Sequence, residues 1–315
     1  MRFNQPHGPL SADVILQTAN LSKRFKQRWA VRNLNLEVRR GDIFGFLGPN
    51  GAGKSTTIRM LLSLIKPTDG DVHLFGHSLR TQRSAALQSV GGIVEKPDFY
   101  LYLSAYRNLE IVGALSGGTN RRRILEVLGL VGLGGRVTDA VKTYSHGMKQ
   151  RLGIAQALLS DPELVVLDEP TNGLDPQGMK EIRDLIHHLA HDRKKTILLS
   201  SHLLNEVELV ANRMAIINKG ELVTQGEVKK LLEEGETYVL LRGEPKGKLR
   251  EVLRTQPYAA SVRKIGDAFE VSMPFDRVPQ LNRALVRNNV SVQAIVPRRS
   301  LEEFFLSITE NESKA

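Results

Sequence analysis

The sequence predicts an α/β fold: a parallel sheet covered by helices over residues 1–228, then a small α+β domain of ferredoxin-like order over residues 236–315. Three observations carry this. Short apolar runs alternate with helical stretches through the first two-thirds of the chain. One run, Ile43–Leu47, reads straight into a glycine-rich loop. Near Val228 the texture changes, and strand-like runs begin to arrive in pairs.

Taken in order, residues 43–47 are a compact apolar strand. Residues 90–94, 164–167 and 196–199 are further short runs rich in β-branched residues, as buried strands require. In residues 177–189, Met179, Ile182, Ile186 and Leu189 recur every three to four positions, one face of a helix. Residues 203–210 make another helix, and a charged helix over 227–234 stops at Gly235. Beyond it come a strand (238–241), a helix (246–254), strands at 261–264 and 269–273, a helix over Val278–Arg287 and a strand at 291–296. A last helix opens at Ser300 with Glu303 closing a capping box, and Leu301, Phe304, Phe305 and Ile308 form its apolar stripe, a pattern that core packing explains.

The 315 residues hold 44 Lys+Arg against 34 Asp+Glu, a net charge of +10. Residues 236–315 carry 13 Lys+Arg and 10 Asp+Glu, so the excess is spread at nearly even density. Nucleic-acid binders concentrate charge on a face or tail. Here the densest runs are Arg121-Arg122-Arg123 and Arg298-Arg299, which read as solvated faces, and no nucleic-acid partner is expected. Cysteine is absent, which excludes disulfide frameworks, thiolate zinc sites and cysteine nucleophiles. No apolar stretch approaches a membrane span, and the first 19 residues lack a signal-peptide core, so a soluble chain is expected.

The decisive segment is Gly48-Pro49-Asn50-Gly51-Ala52-Gly53-Lys54-Ser55, with Thr56 following. It satisfies the P-loop pattern, which arises by chance on the order of once per hundred such chains. Glycines let backbone N–H groups turn inward around phosphate oxygens, and the helix that follows adds its positive end. Lys54 places an ammonium on the β/γ-phosphates of ATP, as the only cation of that cradle, and Ser55 offers a hydroxyl to Mg²⁺. The metal's second ligand is Asp168, emerging from the apolar strand Leu164-Val165-Val166-Leu167. Glu169, next in line, is placed to activate the attacking water as general base, or else serves as a helix-cap carboxylate.

Two further segments narrow the class. Tyr144-Ser145-His146-Gly147-Met148-Lys149-Gln150-Arg151-Leu152 precedes the Asp168 strand by about a dozen residues, and Ser200-Ser201-His202 closes a later strand. Asn172-Gly173-Leu174-Asp175-Pro176 lies between. In order and spacing these motifs resemble the ATP-binding subunit of an ABC transporter, over roughly residues 16–225. The resemblance implies a pair of ATPase subunits, identical or not, sandwiching two ATP molecules, with Mg²⁺. Ser145, Gly147 and Met148 would then contact ATP from across the interface. Asp175 would link the two sites, and His202 would hold the γ-phosphate and the lytic water. Phe25 would stack on adenine, although plain core packing also accounts for one aromatic. The resemblance further implies transmembrane permease subunits as partners and a place on the cytoplasmic face of the membrane.

Departures refine this. Tyr144, His146 and Met148 replace the first, third and fifth residues of the usual Leu-Ser-Gly-Gly-Gln signature, and Glu95 stands where the family has a glutamine that approaches Mg²⁺. The combination is similar to the branch serving bacitracin, lantibiotic and related peptide or drug exporters, as is the ending Ser300–Phe305. An importer ATPase with a regulatory C-terminal domain stays open as an alternative. So does a non-transport ABC ATPase, although one P-loop and no long heptad coiled coil argue against its known forms. The aromatic loop Phe99-Tyr100-Leu101-Tyr102 reads as a docking groove for the membrane partner, or as internal packing.

Overall fold

The computed structural model describes residues 13–95, 97–234 and 238–298. The chain divides into two compact units, Met1–Val228 and Lys229–Ala315. The first unit runs β1 (Val14–Phe25), β2 (Arg28–Leu34), β3 (Glu37–Arg39), β4 (Ile43–Leu47), α1 (Lys54–Leu61), β5 (Asp69–Leu74), β6 (His77–Ser78), α2 (Arg83–Leu87) and β7 (Val90–Ile93). It continues with α3 (Ala105–Leu115), α4 (Arg121–Leu130), α5 (His146–Ala157), β8 (Leu164–Asp168), α6 (Pro176–His191), β9 (Thr196–Ser201), α7 (Leu204–Glu208), β10 (Arg213–Asn218) and β11 (Glu221–Glu227).

The central sheet has the order β11-β10-β4-β9-β8-β7. Only β11 is antiparallel to its neighbour. The residues of β4, β8 and β9 are buried throughout, which is why their sequences are near-continuous apolar runs. Because these three strands are parallel and adjacent, their carboxyl ends deliver the glycine loop, Asp168 and Ser200–His202 to one edge of the sheet. That edge is where open α/β sheets bind ligands.

A second sheet of the first unit, with β1 flanked by β2 and β3 on one side and β5 and then β6 on the other, is antiparallel. The expectation of parallel sheet alone needs correcting here. Bulges break the register of β1 near Leu21–Arg24 and blur its alternation. Phe44 and Phe46, on the central sheet, and Leu16, Leu34 and Leu74, on the antiparallel one, share a single apolar core. The arginine run needs correcting as well. Arg121 and Arg122 are exposed, but Arg123 folds back to donate to the Leu158 and Leu159 carbonyls and to Asp161, tying off the end of α5.

α8 (Val228–Glu234) follows, and the second unit contains β12 (Tyr238–Glu244), α9 (Lys246–Thr255), β13 (Ser261–Ile265), β14 (Ala268–Ser272), α10 (Val278–Arg287) and β15 (Ser291–Arg298). Its sheet order is β13-β14-β12-β15, all antiparallel. The first strand in the chain lies inside the sheet, as a split β-α-β arrangement requires. Leu249, Val252 and Leu253 of α9 and Leu281 and Leu285 of α10 pack on Val239, Leu241, Phe269 and Val271. The helix expected from Ser300, with Glu303 and its stripe of Leu301, Phe304, Phe305 and Ile308, lies outside the described residues, as do Gly235 and Arg299.

Each unit having its own core, a chain shortened to end at Gly235 is expected to stay folded, unfold cooperatively and bind ATP. Calorimetry of the shortened chain checks this. Insolubility, or melting without a cooperative transition, would mean that the two parts share a core.

Candidate functional site

The loop between β4 and α1 is shaped by what cannot fit beside it. A Cβ on Gly48 would lie 2.5 Å from the Ile217 carbonyl oxygen, and one on Gly53, whose φ is 110°, would lie 2.5 Å from that of Ala30. Only glycine allows both approaches. Lys54 opens α1, is 6% exposed, and donates from Nζ to the Gly48 carbonyl at 2.7 Å and, more weakly, to Pro49 at 3.4 Å. The lysine thus folds back over the loop that precedes it.

Asp168 and Glu169 leave the end of β8 in different directions. Asp168 is buried, and its Oδ1 accepts from Ser200 Oγ at 2.5 Å. Glu169 adopts φ of 49°, the left-handed region rare for a side-chain-bearing residue. Its carboxylate is shared, with one oxygen 3.4 Å from Lys54 Nζ and the other 2.8 Å from His202 Nδ1. Residues 54, 169 and 202 therefore form one continuous chain of charge and hydrogen bonds.

A cleft of about 860 Å³ opens over this chain, lined by the glycine loop, Ser55, Thr56, Glu169 and His202. Phe25 and Trp29 line it too, half-exposed, from the hairpin of β1 and β2. Lys23 sits 5.2 Å from the Phe25 ring and Arg24 5.5 Å from the Trp29 ring. The cradle holds more positive charge than the sequence pattern implies, because Arg28 and Lys219 line the same cleft as Lys54. Sequence reasoning missed Trp29, although it is the only tryptophan of the chain and stands four residues from Phe25.

A smaller adjoining cavity of about 230 Å³ is lined by Ser55, Glu95, Asp168 and Glu169 together with His146 and Gln150. Its hydroxyl and carboxylate oxygens are the hard donors that Mg²⁺ prefers. Among the described residues no cluster of three His, Asp or Glu could hold a metal unaided. Glu95, at φ of 64° and mostly exposed, is paired with Arg59 of α1.

The signature residues sit at helix starts. Ser145 caps α5, its exposed hydroxyl accepting from the Met148 N–H at 3.2 Å, and Gly147 lies in the first turn. His146 Nε2 approaches the Asn172 carbonyl at 3.3 Å. Tyr144 is buried and donates its hydroxyl to the Arg136 carbonyl at 2.6 Å, while burial pushes its phenol above the ordinary range and keeps that proton in place. Asp175 caps α6 through the Gly178 N–H at 2.8 Å. The loop after Glu95 is surface rather than core at its centre, with Tyr100 64% and Tyr102 83% exposed.

The family model described as "ABC transporter" matches residues 31–172. The bacitracin transport ATP-binding protein BcrA of Bacillus licheniformis is 41% identical over 93% of this chain and 97% of its own. The lantibiotic transport ATP-binding protein SrtF of Streptococcus pyogenes is 40% identical over 68% of this chain and 91% of its own. Among solved structures, cbiO1 of Clostridium perfringens, part of the ABC transporter complex cbiONQ, superposes with a TM-score of 0.64 at 27% identity, over 78% of this chain and 96% of its own. The ATP-binding cassette MJ0796, a dimer in a post-hydrolysis state bound to ADP and Pi, gives 0.61 at 25% identity, over 68% and 99%.

Proposed function

The chain belongs to the ABC transporter family as one of its ATP-hydrolysing subunits, and from that premise we propose that it powers export of a peptide antibiotic or another small hydrophobic compound through separate membrane subunits. The likeness to the bacitracin transport subunit carries this reading, because it runs past the ATPase unit and through the second one, over 93% of the chain. The substituted signature around Ser145 and the glutamate at position 95 support the same branch. No helix among the described residues is long and apolar enough to cross a membrane, so transport needs a partner that does. Exposed Tyr100, Leu101 and Tyr102 offer that partner an apolar landing place on the cytoplasmic face.

In this reading the loop of residues 48–53 and the start of α1 hold the ATP phosphates, with Lys54 on their charge. Phe25 and Trp29 form an aromatic wall for the base. Ser55, Asp168 and Glu95 would hold Mg²⁺, which supplies charge neutralisation at the phosphates when bound. Glu169 takes the proton of the attacking water, and His202, 2.8 Å from its carboxylate, holds that carboxylate in line. The exposed Ser145 hydroxyl and the first turn of α5, with Gly147 and Met148, would face the ATP of a second subunit. Asp175 stands at the start of α6 beside them.

Two measurements test this. Co-expressed with transmembrane permease subunits that it pairs with, the chain is expected to sediment with membranes and to raise tolerance to a bacitracin-like peptide. Equal tolerance with a hydrolysis-dead variant would remove the export assignment. Separately, Mg-ATP is expected to change the emission of the single tryptophan, whose partly exposed indole a stacked base would cover. Unchanged emission alongside tight binding would take Trp29 out of the base wall.

A further inference from the structure

The side chain that ties the two active-site carboxylates together does not belong to the strand that carries them. Ser200 lies on β9, directly across the ladder from Asp168 of β8. It is completely buried. Its Oγ donates to Asp168 Oδ1 at 2.5 Å and accepts from the Glu169 backbone N–H at 2.9 Å. One hydroxyl thus orients a carboxylate and, in the next peptide unit, the backbone that aims the other.

The second contact sits at an outlier. Glu169 stands at φ of 49°, at a cost that its surroundings must offset, and the bond from its N–H to the Ser200 oxygen anchors the peptide unit from which that turn starts. The turn is what sends the Glu169 side chain back toward Lys54 and His202 rather than out along the strand. The first contact fixes one oxygen of Asp168, and so the rotation of a carboxylate that lines the cavity shared with Ser55 and Glu95.

Resting on the ATPase reading above, we propose that Ser200 is the positioning residue of the hydrolysis site, setting the angle of Asp168 toward Mg²⁺ and the backbone twist that presents Glu169 to water. It is fully buried and lines neither the cleft nor the adjoining cavity. Partners that orient metal ligands in this way typically contribute about 10–100-fold to affinity or turnover.

The test uses the full chain and a shape-matched pair, Ser200→Thr and Ser200→Val, with Ser200→Ala beside them. Both members of the pair suit a buried strand and differ only in the hydroxyl. Thr is expected to keep turnover within a few-fold of the parent. Val and Ala are expected to lose kcat by about 10–100-fold and to need roughly tenfold more Mg²⁺ for half-maximal binding of a fluorescent ATP analogue. Affinity for the analogue in EDTA should stay within about twofold in all variants, since Ser200 is absent from the phosphate loop. Parent-like kcat and Mg²⁺ requirement in Val would overturn the proposal, even if its melting temperature falls. If the parent chain itself binds the analogue without hydrolysing ATP, the ATPase reading fails, and the Mg²⁺ titration still decides the role of Ser200.

Discussion

Glu169→Gln is expected to bind ATP and almost cease to cleave it, with hydrolysis falling by about 10²–10⁴-fold, the usual share of a general base. The amide keeps the shape of the side chain and a contact to His202, but its oxygen is too weak a base to take a proton from water. Uncleaved ATP should then hold two subunits closed, so the variant should elute as a dimer in gel filtration only with Mg-ATP. Glu95→Gln serves as the internal contrast. It restores the residue type usual for the family and retains an oxygen for the metal while removing one charge. Its turnover is expected to stay within a few-fold of the parent, with a weaker dependence on Mg²⁺. The structure adds a reason: Glu95 is mostly exposed and held by Arg59, whereas Glu169 is bound to both Lys54 and His202. A dead, dimer-trapped Glu95→Gln beside an active Glu169→Gln would mean that the base has been misassigned.

Lys54→Ala should remove most ATP affinity and all measurable turnover, a loss of roughly 10²-fold or more for a cation clamped on a transferring phosphoryl group. Two structural losses add to the missing charge. The Gly48 carbonyl loses its 2.7 Å donor, so the loop is held less firmly, and Glu169 loses the ammonium 3.4 Å away. Arg28 and Lys219 remain in the cleft and keep some attraction for polyphosphate, so residual weak binding is compatible with the assignment. ATPase activity above about a tenth of the parent rate is not, since that would be less than the roughly 10²-fold such a clamp contributes.

The parts of this site that were legible in the sequence are those whose chemistry is contiguous. Residues 48–55 announce a phosphate loop because the whole pattern lies in one contiguous stretch, although the carbonyls that bar a Cβ at Gly48 and Gly53 belong to Ile217 and Ala30. Asp168 and Glu169 stand out because an apolar strand ends on them. What stayed illegible depends on pairing between distant segments. Ser200 looks like any strand serine until β8 and β9 are set in register, and only then does its hydroxyl face Asp168. Trp29 reaches the cleft because the β1–β2 hairpin carries it there, and the bulges that set the hairpin's register leave no periodic trace. Arg123 reads as one of three surface arginines, yet its partners are carbonyls more than thirty residues away.

If Lys54 holds the phosphates as proposed, its contact with Glu169 makes nucleotide capture an exchange of anions. A triphosphate entering the cleft does not fill a bare positive hole; it displaces a carboxylate already 3.4 Å from the ammonium. The Coulomb gain is the difference between two negative partners, and the affinity should vary less steeply with ionic strength than the three cations around the cleft would suggest. Neutralising the carboxylate converts the exchange into simple capture, so Glu169→Gln should hold ATP more tightly than the parent at low salt and lose that advantage faster as salt is added. The displaced carboxylate is not set adrift, because His202 still holds its other oxygen at 2.8 Å. With Glu169 as the proposed base, arrival of the substrate would free the very group that acts on it, and the ligand that locks the loop would also unlock the base.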